Sequence, residues 1–169
     1  MITLLRHLLA IAILPFTVAV LVPVWIAQRY GVTVTLGRSV GPVFLQLAGL
    51  ALLCLGLVLF IASLLRFATD GKGTLAPWDP PRLFVARGPY QYVRNPMISG
   101  VILVLCGEAF ALLSPPHAVW AAGFATLNLI YIPLIEEPQL ERRFGDSYRE
   151  YRRRVRRFIP RLRPWRPMP

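Results

Sequence analysis

Cysteine and histidine are scarce in this sequence, and each scarcity excludes a class of chemistry. There are only two cysteines, Cys54 and Cys106. Both sit in the middle of apolar runs, where a thiol is expected to act as a small buried hydrophobe, so no disulfide framework is predicted. The two histidines, His7 and His117, stand alone and are expected at opposite faces of the molecule, so no shared metal site is predicted. No side chain stands out as a general base, and no catalytic residue is assigned. Eight acidic residues face nineteen basic ones, a formal net charge of +11, and Lys72 is the single lysine. No internal repeat of the solenoid kind is visible.

Hydrophobic residues make up 56% of the chain, and the mean hydropathy is +0.55. A soluble domain of this length could not hide that much apolar surface in one core, so an integral membrane protein is expected. Residues 8–27, 42–65, 97–113 and 117–135 form apolar runs, each near the ~20 residues that carry a helix across ~30 Å of hydrocarbon. The predicted fold is all-α. It is a polytopic membrane bundle of about four transmembrane helices, forming one domain over residues 1–169. The first run exceeds the ~7–15 apolar residues of a signal peptide, and Trp25 spoils a small-residue cleavage site, so it is expected to remain in place.

Arginine sets the predicted orientation. Arg66, Lys72, Arg82, Arg87 and Arg94 fall in or beside a loop at 67–95, and most other arginines fall in a tail at 138–169. Both are expected on the cytoplasmic side, with the two chain termini. The connection Ser114-Pro115-Pro116-His117 is short and uncharged, which suits the opposite face, while Arg29 and Arg38 give a mild contrary signal. Arginine-rich, lysine-poor usage fits a GC-rich bacterial genome, so a bacterial inner membrane is the expected location. A polybasic block beside a membrane accounts for the charge without nucleic acid, and anionic membrane lipid is its expected contact.

Two polar stations flank the predicted hairpin of 97–113 and 117–135. Before it stands Gly88-Pro89-Tyr90-Gln91-Tyr92-Val93-Arg94-Asn95-Pro96, and after it Glu136-Glu137-Pro138. A chain that crosses a bilayer twice returns to its starting side, so the stations are expected to meet. Asn95-Pro96 reads as an N-cap and first helical residue. The helix start, with Arg94 beside it, favours an anion. Glu136 and Glu137 oppose the dipole of the helix that they end and need compensation, either by a ligand or by pairing with Arg142, Arg143 or Arg94. Pro138 is expected to break or reset the helix. Beyond it, Leu140, Phe144, Tyr148 and Tyr151 recur at helical spacing among charges, which predicts an amphipathic interfacial helix. Glu108 lies inside an apolar run and is expected to face other helices or water, with Gly100 and Gly107 allowing close helix approach.

At these residues the chain resembles the membrane methyltransferases that include isoprenylcysteine carboxyl methyltransferase and the phospholipid N-methyltransferases. The resemblance runs from about Gly73 to Pro160. It is carried by Gly88-Pro89-Tyr90, Arg94-Asn95-Pro96, Glu136-Glu137, Phe144-Gly145-Asp146-Ser147-Tyr148, Tyr151 and Phe158-Ile159-Pro160. It implies an S-adenosylmethionine-dependent methyltransferase acting on a lipophilic or small membrane-accessible acceptor. Arg82, Leu83, Phe84, Val85, Tyr90, Asn95, Pro96 and Met97 would enclose the cofactor, and Glu136 with Glu137 would close the pocket. Asn95 stands where the family typically has histidine and Ile98 where it has tyrosine. The turn before Glu136 lacks the arginine that prenylcysteine enzymes tend to carry, so a prenylcysteine carboxylate is not the expected substrate. The competing expectation is a non-enzymatic membrane protein with a vestigial cofactor site, whose basic tail binds anionic lipid or a partner. Oligomeric state is left open.

Overall fold

The structure is a computed structural model that describes residues 12–37, 39–71 and 84–166. Among these residues the fold is all helical. A π-helical stretch, Ala12–Leu21, runs into α1, Val22–Tyr30. It is followed by α2, Val40–Asp70, then a short 3-10 turn, Gly88–Gln91, and α3, Pro96–Ala111. Next come α4, Pro115–Tyr131, a π-helical turn, Ile132–Glu136, and α5, Glu137–Arg154.

Four spans were expected, and two helices are long and apolar enough to cross a membrane on their own: α2 and the continuous helical run Pro115–Arg154. At 16 residues, α3 is only ~24 Å long by the helical rise. Apart from Ser99 and Glu108 it is apolar, and it lies antiparallel along α2, whose 31 residues outreach it at both ends. Most of α2's apolar surface faces outward, with Phe44, Leu47, Val58 and Ile61 more than half exposed. Cys54 shares that outward face, contrary to the buried position expected for it. Bulky apolar groups turned outward along a helix of this length mark a lipid-facing surface.

The contact between α2 and α3 is set by glycine. A Cβ placed on Gly107 would come within 2.6 Å of the Leu53 backbone nitrogen, and one on Gly56 within 2.7 Å of the Gly100 carbonyl oxygen. Gly49 and Gly56 on α2, like Gly100 and Gly107 on α3, recur seven residues apart and so stay on one face. Backbones laid this close maximise van der Waals contact, the main attraction left between helices in lipid. Buried Gln46 ties off one end of this contact. Its side chain donates to the carbonyls of Thr35 (2.7 Å) and Ala111 (3.2 Å), and it accepts from the Gly37 N–H at 2.9 Å.

At that same end His117 is buried and satisfied on both ring nitrogens. Nε2 lies 3.1 Å from the Pro23 carbonyl and Nδ1 lies 2.7 Å from Ser114 Oγ. A carbonyl can only accept, so Nε2 carries the proton and Nδ1 accepts from the serine hydroxyl. The Trp120 indole donates to the Val18 carbonyl at 3.1 Å, which docks the N-terminal π-helical stretch onto α4. His117 is thus a packing residue that pins α1 to the α3–α4 hairpin.

The helix does not stop at Pro138. Inside a continuous helix a proline forfeits one backbone hydrogen bond and presses on the carbonyl four residues back, so the run passes it only where the preceding turn is loosened. The chain widens into the π-helical turn Ile132–Glu136 and carries on as α5. The real interruption is Gly145, at φ 56° and ψ −130°, a conformation that L side chains rarely adopt.

Candidate active site

The two polar stations meet at the end of the bundle where α3 begins and α4 ends. Asn95 occupies the cap position of α3 with Pro96 as first helical residue, as the sequence indicates. Its side chain makes no capping hydrogen bond; the carbonyl of Asn95 instead accepts from Ser99 N–H (3.0 Å) and Ser99 Oγ (2.9 Å). The first helical bond therefore comes from Ser99, and the N–H groups of Met97 and Ile98 precede it at the positive end of the helix.

The two glutamates are not equivalent. Glu137 is 1% exposed and gathers three guanidinium groups. Arg157 holds it in a bidentate fork, Nε to Oε1 at 2.7 Å and Nη2 to Oε2 at 3.0 Å. Arg94 Nη1 stands 3.0 Å from Oε1 and Arg152 Nε 3.6 Å from Oε2. Burial pushes the Glu137 carboxyl up, but the Arg157 hydrogen bond and the charges of Arg94, Arg157 and Arg152 outweigh it and hold the group below the usual range. Of the partners expected for the acidic pair, Arg94 is found, whereas Arg142 and Arg143 are exposed and take no part. Glu136 is half-buried, and no arginine pairs with it among the described residues. Burial, and then the charge of Glu137, raise its pKa.

An aromatic cluster braces this end. Phe84 packs against Phe144, Tyr148 and Tyr151 with centroid separations of 5.6, 6.0 and 5.0 Å, and Tyr151 against Trp165 at 5.2 Å. Ala86 and Val155 complete the cluster, with Leu140 packed against it. The apolar face of α5 is thus covered by the chain itself. The Tyr151 hydroxyl donates to the Tyr90 carbonyl at 2.6 Å. Burial, followed by the charge of Glu136, raises the Tyr90 hydroxyl pKa. Tyr148, whose hydroxyl the Arg94 side chain reaches, is pushed up to about 12, chiefly by burial and then by the charge of Glu137.

Beyond α5 the chain folds back across the loop. Backbone N–H groups of Arg94 and Asn95 donate to the carbonyls of Arg156 (2.9 Å) and Arg157 (3.2 Å). Those of Arg161 and Trp165 donate to the carbonyls of Tyr92 (2.9 Å) and Gln91 (3.0 Å).

Of the residues expected around the cofactor, Arg82 and Leu83 lie outside the described residues. Phe84 belongs to the braced layer beneath this end, and Val85 is buried at 8% exposed. Tyr90, Asn95, Pro96, Met97, Glu136 and Glu137 gather around the start of α3 and the end of α4. The sequence reading passed over Arg157 and Trp165. Their signal is weak, because one is a single arginine in a basic tail and the other lies outside any periodic segment.

A helical hairpin that brings a carboxylate unpaired among the described residues and a helix start to a common end, beneath outward-facing apolar helices, defines an integral-membrane protein with a polar site at its edge. The chain matches the phospholipid methyltransferase family model over residues 44–147, more than half its length, and belongs to that family. It is a methyltransferase that uses S-adenosylmethionine as methyl donor. This displaces the non-enzymatic alternative. No curated protein and no solved structure is significantly similar to the chain.

Proposed function

We propose that the protein methylates a lipophilic acceptor that enters sideways from the bilayer, with S-adenosylmethionine held between Glu136 and the first turn of α3. The observation that carries this reading is the contrast within the acidic pair. Glu137 is saturated by arginine, whereas Glu136 has no arginine partner among the described residues and can take a cationic or hydroxyl partner. The site residues fit the cofactor's charges. The ammonium suits Glu136, the carboxylate suits the N–H groups of Met97 and Ile98, and Tyr90 with Met97 offers apolar surface to the rest. Asn95, with no capping bond of its own, keeps an amide to donate and accept.

Bound there, the cofactor supplies an electrophilic methyl group for in-line displacement. The chain has little to add beyond alignment and exclusion of water. The arginine-clamped Glu137 fixes the start of α3 relative to the end of α4, and the Phe84–Tyr151 layer closes the site from below. The family's name refers to phospholipids, and a membrane lipid is the acceptor we carry to this chain. In this reading four helical passes form one domain, with both termini and the site on the cytoplasmic side of a bacterial inner membrane.

Calorimetric titration of S-adenosylmethionine and S-adenosylhomocysteine into the protein in lipid nanodiscs tests the assignment. Binding that falls about tenfold or more in Glu136→Gln, with the fold intact, is the expected result for loss of one charge-assisted contact. Unchanged affinity in that variant would remove Glu136 from the site.

A further inference from the structure

The segment after α5 opens a cleft of about 530 Å³ against the flank of α4. Its lining combines basic residues, Arg94, Arg152, Arg153, Arg156 and Arg157, with apolar ones that include Leu129 and Phe158. Neither Asn95 nor Glu136 lines it, but it shares Arg94, Arg152 and Arg157 with the Glu137 cluster and so lies beside the site described above.

Charge in this cleft is unbalanced. Glu137 answers Arg94, Arg152 and Arg157, and Glu141 answers Arg152 again. Arg153 and Arg156 make no ion pair among the described residues, although they line the same space. Arg94 adds an independent observation. Its side chain is 10% exposed, and its Nε is buried without an acceptor. A buried guanidinium N–H without a partner is costly and rare, and an anion entering the cleft would supply one.

The apolar lining decides what kind of anion. Leu129 belongs to α4, within the run expected to lie in hydrocarbon, and it is 53% exposed. The cleft therefore joins a cationic pocket at the interface to a lipid-facing helix. We propose that it seats the phosphodiester of an anionic phospholipid, with Arg94, Arg153 and Arg156 around the phosphate and the glycerol and first acyl carbons along Leu129 and Phe158. A phosphodiester matches the planar, multi-donor geometry of arginine. This proposal does not depend on the cofactor assignment.

The test is retention of phosphatidylglycerol by the full-length detergent-solubilised protein, measured by native mass spectrometry against phosphatidylcholine. Arg153→Gln/Arg156→Gln should cut retention at least about tenfold, as loss of two charged contacts requires. Arg163→Gln/Arg166→Gln removes the same charge from exposed tail positions outside the cleft, and it should leave retention within about twofold if the contact is local. Leu129→Gln, which keeps the charge, should weaken retention several-fold. Equal losses in the two arginine pairs would overturn the proposal in favour of diffuse attraction by the tail. Displacement of the lipid by millimolar inorganic phosphate, or no effect of Leu129→Gln, would overturn the lipid assignment.

Discussion

Along α2 and α3, backbone lies on backbone. Where α3 begins, one carboxylate holds three guanidinium groups, two of them delivered by segments after α4. The glycine contact works by shape, since apolar surface gains nothing by leaving lipid for protein, and the four glycines themselves carry nothing that titrates or that salt can screen, although Glu108 lies next to Gly107 on α3. The polar end works by charge and is open to both. Shape thus governs the helix contact, and charge, with its response to pH, governs the edge.

Breaking the polar end gives the largest expected effect. Glu137→Gln leaves Arg94 and Arg157 facing each other without their shared counter-charge, and unfolding in detergent should show a loss of about 3–5 kcal/mol. A loss below about 1 kcal/mol would mean that the cluster behaves like a solvated surface pair. Gly107→Ala strikes the other region. Its new methyl meets the Leu53 backbone, which cannot rotate away, and the helix contact should weaken by about 1–3 kcal/mol with cofactor affinity largely retained.

The acidic pair sharpens the comparison through pH. The Glu137 pKa is depressed on folding, so its contribution is present above the ordinary carboxylate range and is lost as pH falls through the lower folded value. The Glu136 pKa is raised, so folding favours its protonated form, and it subtracts stability once pH exceeds the ordinary value. Cofactor affinity should therefore decline on acidification first, as Glu136 takes up its proton, while the arginine cluster persists to lower pH. Calorimetry and melting followed over one pH series would separate the two, and a simultaneous decline would contradict the division of roles. The smallest effect is expected from Tyr151→Phe, which removes the hydroxyl bond to Tyr90 and should cost about 1 kcal/mol in a melt.

Much of this arrangement was legible in the sequence, because topology alone returns the ends of a hairpin to one side. The start of α3 at Asn95-Pro96 and the meeting of the stations follow from that. Arg94 could be named as a partner of the acidic pair, but the bidentate partner of Glu137 could not, since Arg157 lies twenty residues along the chain and reaches it only after the tail has folded back on the loop. The continuation through Pro138 was hidden as well. A proline reads as a stop unless the preceding turn is known to widen. Gly100 and Gly107 were visible as a close-contact face, but Gly49 and Gly56 sit in an apolar run whose composition masks their seven-residue spacing. The absence of a capping bond from the Asn95 side chain could not be anticipated either, because capping is the default role of that residue before proline.

The backbone bonds from Arg94 and Asn95 to Arg156 and Arg157 have a consequence in time. When a ribosome has delivered α3 and α4 to the bilayer, Arg157 is still unmade and Glu137 lacks its bidentate partner. The helices can insert in any order that lipid permits. The site acquires its geometry only when the segment made after them returns to the loop made before them, so hairpin insertion and site completion are separate events in biosynthesis.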